Sequence, residues 1–257
     1  MEIKNSYFYF QKALTPGQCE DIINLGKNQI EENIKNGVNT AGTTGGDKHK
    51  EAVTSIDNKA VPQTDKTLDE LKNEIGDNAH DKSYIRDSQV AWLTDTWIYD
   101  LVLPFIHRAN KASGWNYQLD FGEDFQFTVY KPGGFYGWHS DGGMCHFSKY
   151  KRIIPGITPT NEKGDYSGIY TYDKRKVGKI RKISATINLN LPGEYEGGNL
   201  KFDYGPHASG KRYHECTEIR PQGSIVVFPS FMYHQVTPVT KGTRYSLVLW
   251  SVGNPFV

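Results

Sequence analysis

EDFQFTVYKPGGFYGWHSD, residues 123–141, is where the apolar period of this chain changes. Phe125, Phe127 and Val129 stand two apart with polar residues between them, the pattern of a half-buried strand. The stretch ends in His139-Ser140-Asp141. On a strand, positions i and i+2 share a face. His139 and Asp141 are therefore expected to point together into the core, with Ser140 turned away.

Everything downstream of 123 keeps the strand character. Ile183–Leu191, Leu200–Asp203, Ser224–Phe228 and Tyr245–Val252 are further candidate strands, separated by the turns PGEYEGG, PQG and VTKG. Several short strands with such turns predict a sandwich or barrel. Upstream the spacing is helical. Thr15-Pro16 reads as a helix start, and Cys19, Ile22, Ile23, Leu25 and Ile30 line one face to about Ile34. Residues 36–60 are polar and glycine-rich and read as a mobile loop, followed by a weak helix at about 67–75. Thr94/Asp95 caps a stronger helix whose apolar side is expected to hold Trp97, Ile98, Leu101, Val102, Phe105 and Ile106, with Pro104 as a kink.

The expectation is a single domain over 1–257, mainly β with flanking helices. Residues 1–122 form a helical support and 123–252 the β-core. Residues 145–182 interrupt that core with ten Lys/Arg against three acidic residues, a solvated loop or a lid over the site.

Composition excludes more than it assigns. Lys+Arg is 30 and Asp+Glu is 29, so charge gives no reason to expect nucleic acid or membrane as a partner. Cys19, Cys145 and Cys216 are an odd set at unrelated spacings, which points away from a disulfide framework and towards a reducing, cytoplasmic setting. The first residues lack the apolar run of a secretion signal, and no apolar run approaches a membrane span.

A second segment completes the chemistry: YHQVTPVTKGTRYSLVLW, residues 233–250. His234 begins a strand candidate 93 residues after Asp141, and Arg244 follows ten residues later. Two imidazoles and one carboxylate are the set that holds Fe(II) on one face and leaves the other open. A fixed guanidinium fork suits a carboxylate. The other histidines carry no comparable context. Neither a nucleophilic Ser/His/Asp arrangement nor a phosphate-binding loop is apparent.

In combination these residues resemble the Fe(II)/2-oxoglutarate-dependent dioxygenases, in particular their prolyl 4-hydroxylase-like branch, over about 123–252. The resemblance implies a double-stranded β-helix (jelly-roll, cupin-like) core with the N-terminal helices packed outside. It implies His139, Asp141 and His234 as iron ligands, and Arg244 with Tyr130, nine residues before His139, as the grip on 2-oxoglutarate. Tyr136 is placed near iron and substrate. Trp250, sixteen residues after His234, recurs in the family, and with Trp138 it belongs to an aromatic surround for substrate. ISATINLNLPGEYEGGNLKF (183–202) looks like the family segment that lines the co-substrate pocket, with Thr186 and Asn188 as its polar candidates. The implied reaction hydroxylates a C–H bond, most simply in a peptidyl proline, using Fe(II), 2-oxoglutarate and O2, with ascorbate as reductant and succinate and CO2 released. The expected partner is a proline-containing peptide or protein, and the expected state a monomer or weak homo-oligomer. Hydroxylation of a free amino acid or small metabolite, or a non-catalytic cupin-like binding module, remain the alternatives. A nucleic-acid demethylase of the superfamily usually carries a second arginine in the last strand, and RYSLVLW has none.

Overall fold

Thr15 starts the first helix by a reciprocal cap: its hydroxyl accepts from Gln18 N at 3.3 Å while Gln18 Oε1 accepts from Thr15 N at 2.8 Å. Pro16, which has no N–H to lose, occupies the first turn. In this computed structural model, which describes residues 5–42, 86–142, 175, 179–205 and 210–256, the helix is α1 (Pro16–Lys35). The second, α2 (Thr96–Ala112), begins after Asp95, whose side chain makes no capping bond. Pro104 lies inside α2 without ending it, on the exposed face, where solvent can serve the carbonyl that proline leaves unbonded. Trp97, expected on the apolar side, is instead 39% exposed. The buried face is carried by Ile98, Val102, Ile106 and Ala109.

In chain order the strands are β1 (Phe8–Phe10), β2 (Arg86–Asp87), β3 (Gln89–Leu93), β4 (Phe121–Gly122), β5 (Phe125–Tyr130), β6 (Phe135–His139) and β7 (Ile180–Asn188). Then follow β8 (Tyr195–Gly197), β9 (Leu200–Asp203), β10 (Tyr213–Glu215), β11 (Ile225–Pro229), β12 (Tyr233–Val236), β13 (Val239–Gly242) and β14 (Arg244–Gly253). The large sheet runs β1-β11-β7-β14-β5-β3, with β4 on β14. The small one runs β10-β9-β12-β6-β2, and β13 pairs with β8. All these pairings are antiparallel. The two facing sheets form the expected double-stranded β-helix. The front half is not purely helical, since it supplies β1, β2, β3 and β4.

The two faces of the large sheet differ in chemistry. Phe127, Val129, Ala185, Ile187, Leu247 and Leu249 share one core with Cys19 and Ile22 of α1 and Ile98, Val102 and Ile106 of α2. Each such buried aliphatic or aromatic side chain contributes about 1.5–3 kcal/mol. Gly26 lets α1 lie directly on the sheet, because a methyl group there would run into the Phe127 ring. The opposite face, turned to the small sheet, is polar: Gln126, Thr128, Ser184, Thr186, Asn188, Arg244 and Ser246 are all buried. Buried polar side chains on a sheet face mark the place where the core has been given to chemistry rather than packing.

Several expectations need correction. The strand expected at 183–191 runs instead from Ile180 to Asn188, and Leu191 is half exposed. The last three residues of the expected basic insert are therefore sheet. Lys182 is buried and Arg181 is ion-paired, because strand pairing to β14 continues back to Ile180. Of the loop expected from residue 36, the part at 40–42 lies along β3: Val90 N donates to Thr40 O at 2.7 Å and Gly42 N to Ser88 O at 2.8 Å. The helix expected at 67–75 and the body of the basic insert lie outside the described residues. Among the described residues no helix is long and apolar enough to cross a membrane.

Candidate metal and co-substrate site

β6 and β12 pair so that His139 stands opposite His234, and both imidazoles face the large sheet. The register then slips: Val236 pairs with Tyr136, so β6 carries one more residue than β12 over this span. Such a bulge re-aims side chains. It turns both Tyr136 and His139 inward, and their rings stack with centroids 3.5 Å apart. Trp138 is turned the other way, against Tyr233 and Tyr213. Asp141 is not on the strand as expected. β6 ends at His139, and the turn after it brings the carboxylate back under the imidazole.

The three groups meet. His139 Nε2 is 3.6 Å from Asp141 Oδ1 and His234 Nε2 is 3.6 Å from Asp141 Oδ2, with His139 7%, Asp141 4% and His234 6% exposed. Among the described residues this is the one cluster of His, Cys, Asp or Glu able to hold a metal ion. Each imidazole is oriented from behind. His139 Nδ1 lies 2.6 Å from Gly137 O and His234 Nδ1 lies 2.9 Å from Met232 O. A carbonyl only accepts, so Nδ1 carries the proton in each ring and Nε2 presents its lone pair to the cluster. Burial, reinforced by His234, holds His139 well below its ordinary value, which keeps it neutral. Burial alone would raise the Asp141 carboxyl. The nearby His234, His139 and Arg181 and the hydrogen bond from Ser184 outweigh it and hold the group well below its usual range. Two imidazole nitrogens and one carboxylate, buried together, suit a divalent first-row metal such as Fe(II).

Arg244 and Tyr130 are cross-strand partners on β14 and β5, with the guanidinium carbon 5.2 Å from the ring centroid. Arg244 is only 2% exposed. It donates to Ser246 Oγ at 3.2 Å, and its Nε has no partner among the described residues. Among the described residues no carboxylate pairs with it. A buried guanidinium without a counter-charge costs several kcal/mol, so this pocket is built for an anion. Thr186, buried, lies on the same polar face. Asn188 is already engaged: it donates to Asn190 O and Arg220 O and accepts from the Tyr195 hydroxyl.

A second register slip, on β7 at Lys182, repeats the device of β6. Ser251 pairs with Ile183, but Val252 pairs with Arg181. Arg181 thus reaches the inner side. It grips Glu123 with two bonds of 2.8 and 2.7 Å and covers the Trp250 ring at 3.9 Å. Trp250 is 5% exposed, and its indole N–H has no hydrogen-bond partner among the described residues. The Arg181–Glu123–Trp250 stack and Arg86 were not anticipated. Arg86 is buried, bonded to Ser88 and Gln126 and set 4.5 Å from the Tyr136 ring. Single charged residues outside a spaced motif give no sequence signal. Only the long-range pairing exposes them.

A fold of two facing antiparallel sheets, a buried two-histidine, one-carboxylate cluster and an unpaired buried arginine together define a metal-dependent oxygenase class. Residues 125–252 match the family described as the 2OG-Fe(II) oxygenase superfamily, and this half of the chain belongs to it. A PKHD-type hydroxylase of Xylella fastidiosa (strain 9a5c) is 32% identical over 128 residues, 49% of this chain and 42% of that protein. The matched stretch thus spans less than half the length of that relative. Two solved structures share the fold along nearly the whole chain. A prolyl hydroxylase of Trichoplax adhaerens, in complex with a hypoxia inducible factor peptide, has a TM-score of 0.54 at 15% identity, covering 96% of this chain and 83% of that one. The viral collagen prolyl hydroxylase of Paramecium Bursaria Chlorella virus-1 has a TM-score of 0.52 at 16% identity, covering 97% of both chains.

Proposed function

We propose that this chain is an Fe(II)- and 2-oxoglutarate-dependent hydroxylase of peptidyl proline, prolyl 4-hydroxylase-like in type. The observation that carries the reading is the presence of two buried polar features on facing sheets of one core. One is the two-histidine, one-carboxylate cluster; the other is the Arg244 guanidinium, which has no counter-charge among the described residues. Fe(II) and 2-oxoglutarate, with O2, supply the oxidising chemistry when bound and release succinate and CO2, with ascorbate as the reductant that keeps the iron competent.

The residues have separable tasks. His139, Asp141 and His234 hold the metal. Arg244, with Tyr130 beside it, receives the distal carboxylate of 2-oxoglutarate, and Thr186 lines the wall between. Asn188 holds the Tyr195 hydroxyl in place. Tyr136, fixed over His139, bounds the side from which substrate approaches, and Trp250 under Arg181 closes the opposite side. The proline assignment is supported by the aromatic character of this surround, by the hydroxylase name of the similar proteins and by the fold shared with prolyl hydroxylases. Trp138 lies on the outer face with Tyr213 and Tyr233, where it would meet only the flank of a longer peptide. A monomer acting on a separate polypeptide fits this arrangement.

The test is succinate formation from 2-oxoglutarate with Fe(II) and ascorbate, with and without proline-rich peptides, and a mass gain of one oxygen atom on proline. Peptide-stimulated turnover with hydroxyproline supports the reading. Turnover stimulated only by free amino acids would replace peptide by small-molecule substrate. No turnover with any co-substrate in metal-loaded protein would leave a binding module.

A further inference from the structure

Behind Asp141 lies a pair of buried hydroxyls that the reading above does not use. Ser184 Oγ donates to Asp141 Oδ2 at 2.7 Å and lies 2.9 Å from Ser230 Oγ. Both serines are fully buried. A hydroxyl has one proton. Ser184 spends its proton on the carboxylate, so Ser230 completes the pair. Among the described residues Asp141 Oδ1 receives no hydrogen bond, so the two oxygens of this carboxylate are unequal.

The pair also joins the segments that carry the ligands. Ser230 N donates to Lys182 O at 3.0 Å, and Ser230 O accepts from Gly142 N at 2.7 Å. The turn bearing Asp141 is thereby fastened to the turn before β12, which bears His234. The contact is close: a Cβ on Gly142 would sit 3.0 Å from the Ser230 carbonyl carbon, so a side chain there would press on this junction. Ser184 reaches the same point from the large sheet, where it alternates onto the inner face with Thr186 and Asn188.

Resting on the metal reading of the cluster, we propose that Ser184, backed by Ser230, is a positioning residue that makes Asp141 a one-oxygen ligand. A hydrogen bond to Oδ2 lowers its donor strength and fixes the rotation of the carboxylate. Oδ1 then serves the metal, and the coordination position that a two-oxygen carboxylate would fill stays free for co-substrate. Ser184 touches neither substrate nor metal; it acts through Asp141. Partners of metal ligands of this kind set metal affinity by about 10–100-fold.

The test uses the full metal-free chain titrated with Co(II), whose visible absorption reports coordination number, and with Fe(II). Ser184→Ala is expected to bind both metals about 10–100-fold more weakly and to change the Co(II) spectrum, while its circular dichroism and melting remain those of a folded protein. Ser184→Thr, which keeps the hydroxyl, is expected to restore both. Ser230→Ala is expected to show a smaller change in the same direction. Wild-type affinity and spectrum in folded Ser184→Ala overturn the proposal. Should that variant not fold, an unaltered Co(II) spectrum in Ser230→Ala overturns it instead. A wild-type chain that binds neither metal overturns the metal reading itself, a distinct failure.

Discussion

Arg244 and Tyr130 stand directly opposite one another on β14 and β5, and the arginine is buried with its Nε unbonded. The sheet pays for a desolvated charge that nothing in the described protein neutralises. Replacing Arg244 by Met is expected to weaken 2-oxoglutarate binding about 30-fold or more, since losing one partner of a buried charge pair costs about 2 kcal/mol or more. Metal binding should be unchanged. Calorimetric titration of 2-oxoglutarate into metal-loaded protein reads the first and metal titration the second. Equal co-substrate affinity in the variant would remove Arg244 from its role. Without co-substrate the same variant should melt no lower than wild type, because an unpaired buried charge has been removed.

The stacked rings of Tyr136 and His139 give a graded prediction. His139→Ala and Asp141→Ala should lose metal on dialysis, measured as metal content per chain. Tyr136→Phe keeps the ring and should retain wild-type metal affinity. Tyr136→Ala removes a contact worth about 0.5–1.5 kcal/mol and should weaken metal binding about 2–10-fold. Wild-type metal affinity in Tyr136→Ala would show that the stack does not support the ligand.

Stability away from the site is most sensitive where α1 meets β5. Gly26→Ala places a methyl group into the ring of Phe127. Overpacking of this kind costs about 1–3 kcal/mol. Urea unfolding should show that loss with the metal affinity of the folded fraction unaltered. A neutral or stabilising outcome would mean that helix and sheet separate more easily than their packing indicates.

Alkaline stability follows from buried thiols. Burial raises Cys19 from 9.0 to about 11, and burial with Glu218 nearby raises Cys216 from 9.0 to about 12. The folded chain keeps protons that the unfolded chain has lost. Their contribution is complete below about pH 9 and disappears as pH rises towards 11–12. Melting temperature should therefore fall above about pH 9, and less steeply in Cys19→Ala. An identical slope in that variant would place the alkaline sensitivity elsewhere.

The meeting of the cluster was legible because its chemistry is carried by residue type and spacing: His139, Asp141 and His234 come together, and Arg244 is buried on the facing sheet. The double-stranded β-helix was legible from period-two stretches such as Phe125–Val129. Local phase was not. A one-residue slip leaves no mark in composition, so the bulges that turn Tyr136 inward with His139, and Arg181 with Ser184, could not be read. The same limit put Asp141 on a strand it does not occupy. Lys182 looked like part of a charged loop because its burial depends on pairing with a strand some seventy residues away, which no local pattern reports.

On the proposed reading the metal ligands and the anion anchor belong to different sheets: β6 and β12 with the turn after β6 on one side, β5 and β14 on the other. Any molecule that touches both must reach across the sandwich. The separation of two packed layers, about 10 Å, then acts as a gauge for the length of a diacid. It is set by side chains that never touch the ligand. On that reading, a change of core volume remote from the site would alter which chain length bridges the two sheets, and selectivity for the co-substrate becomes a property of how thick the protein is.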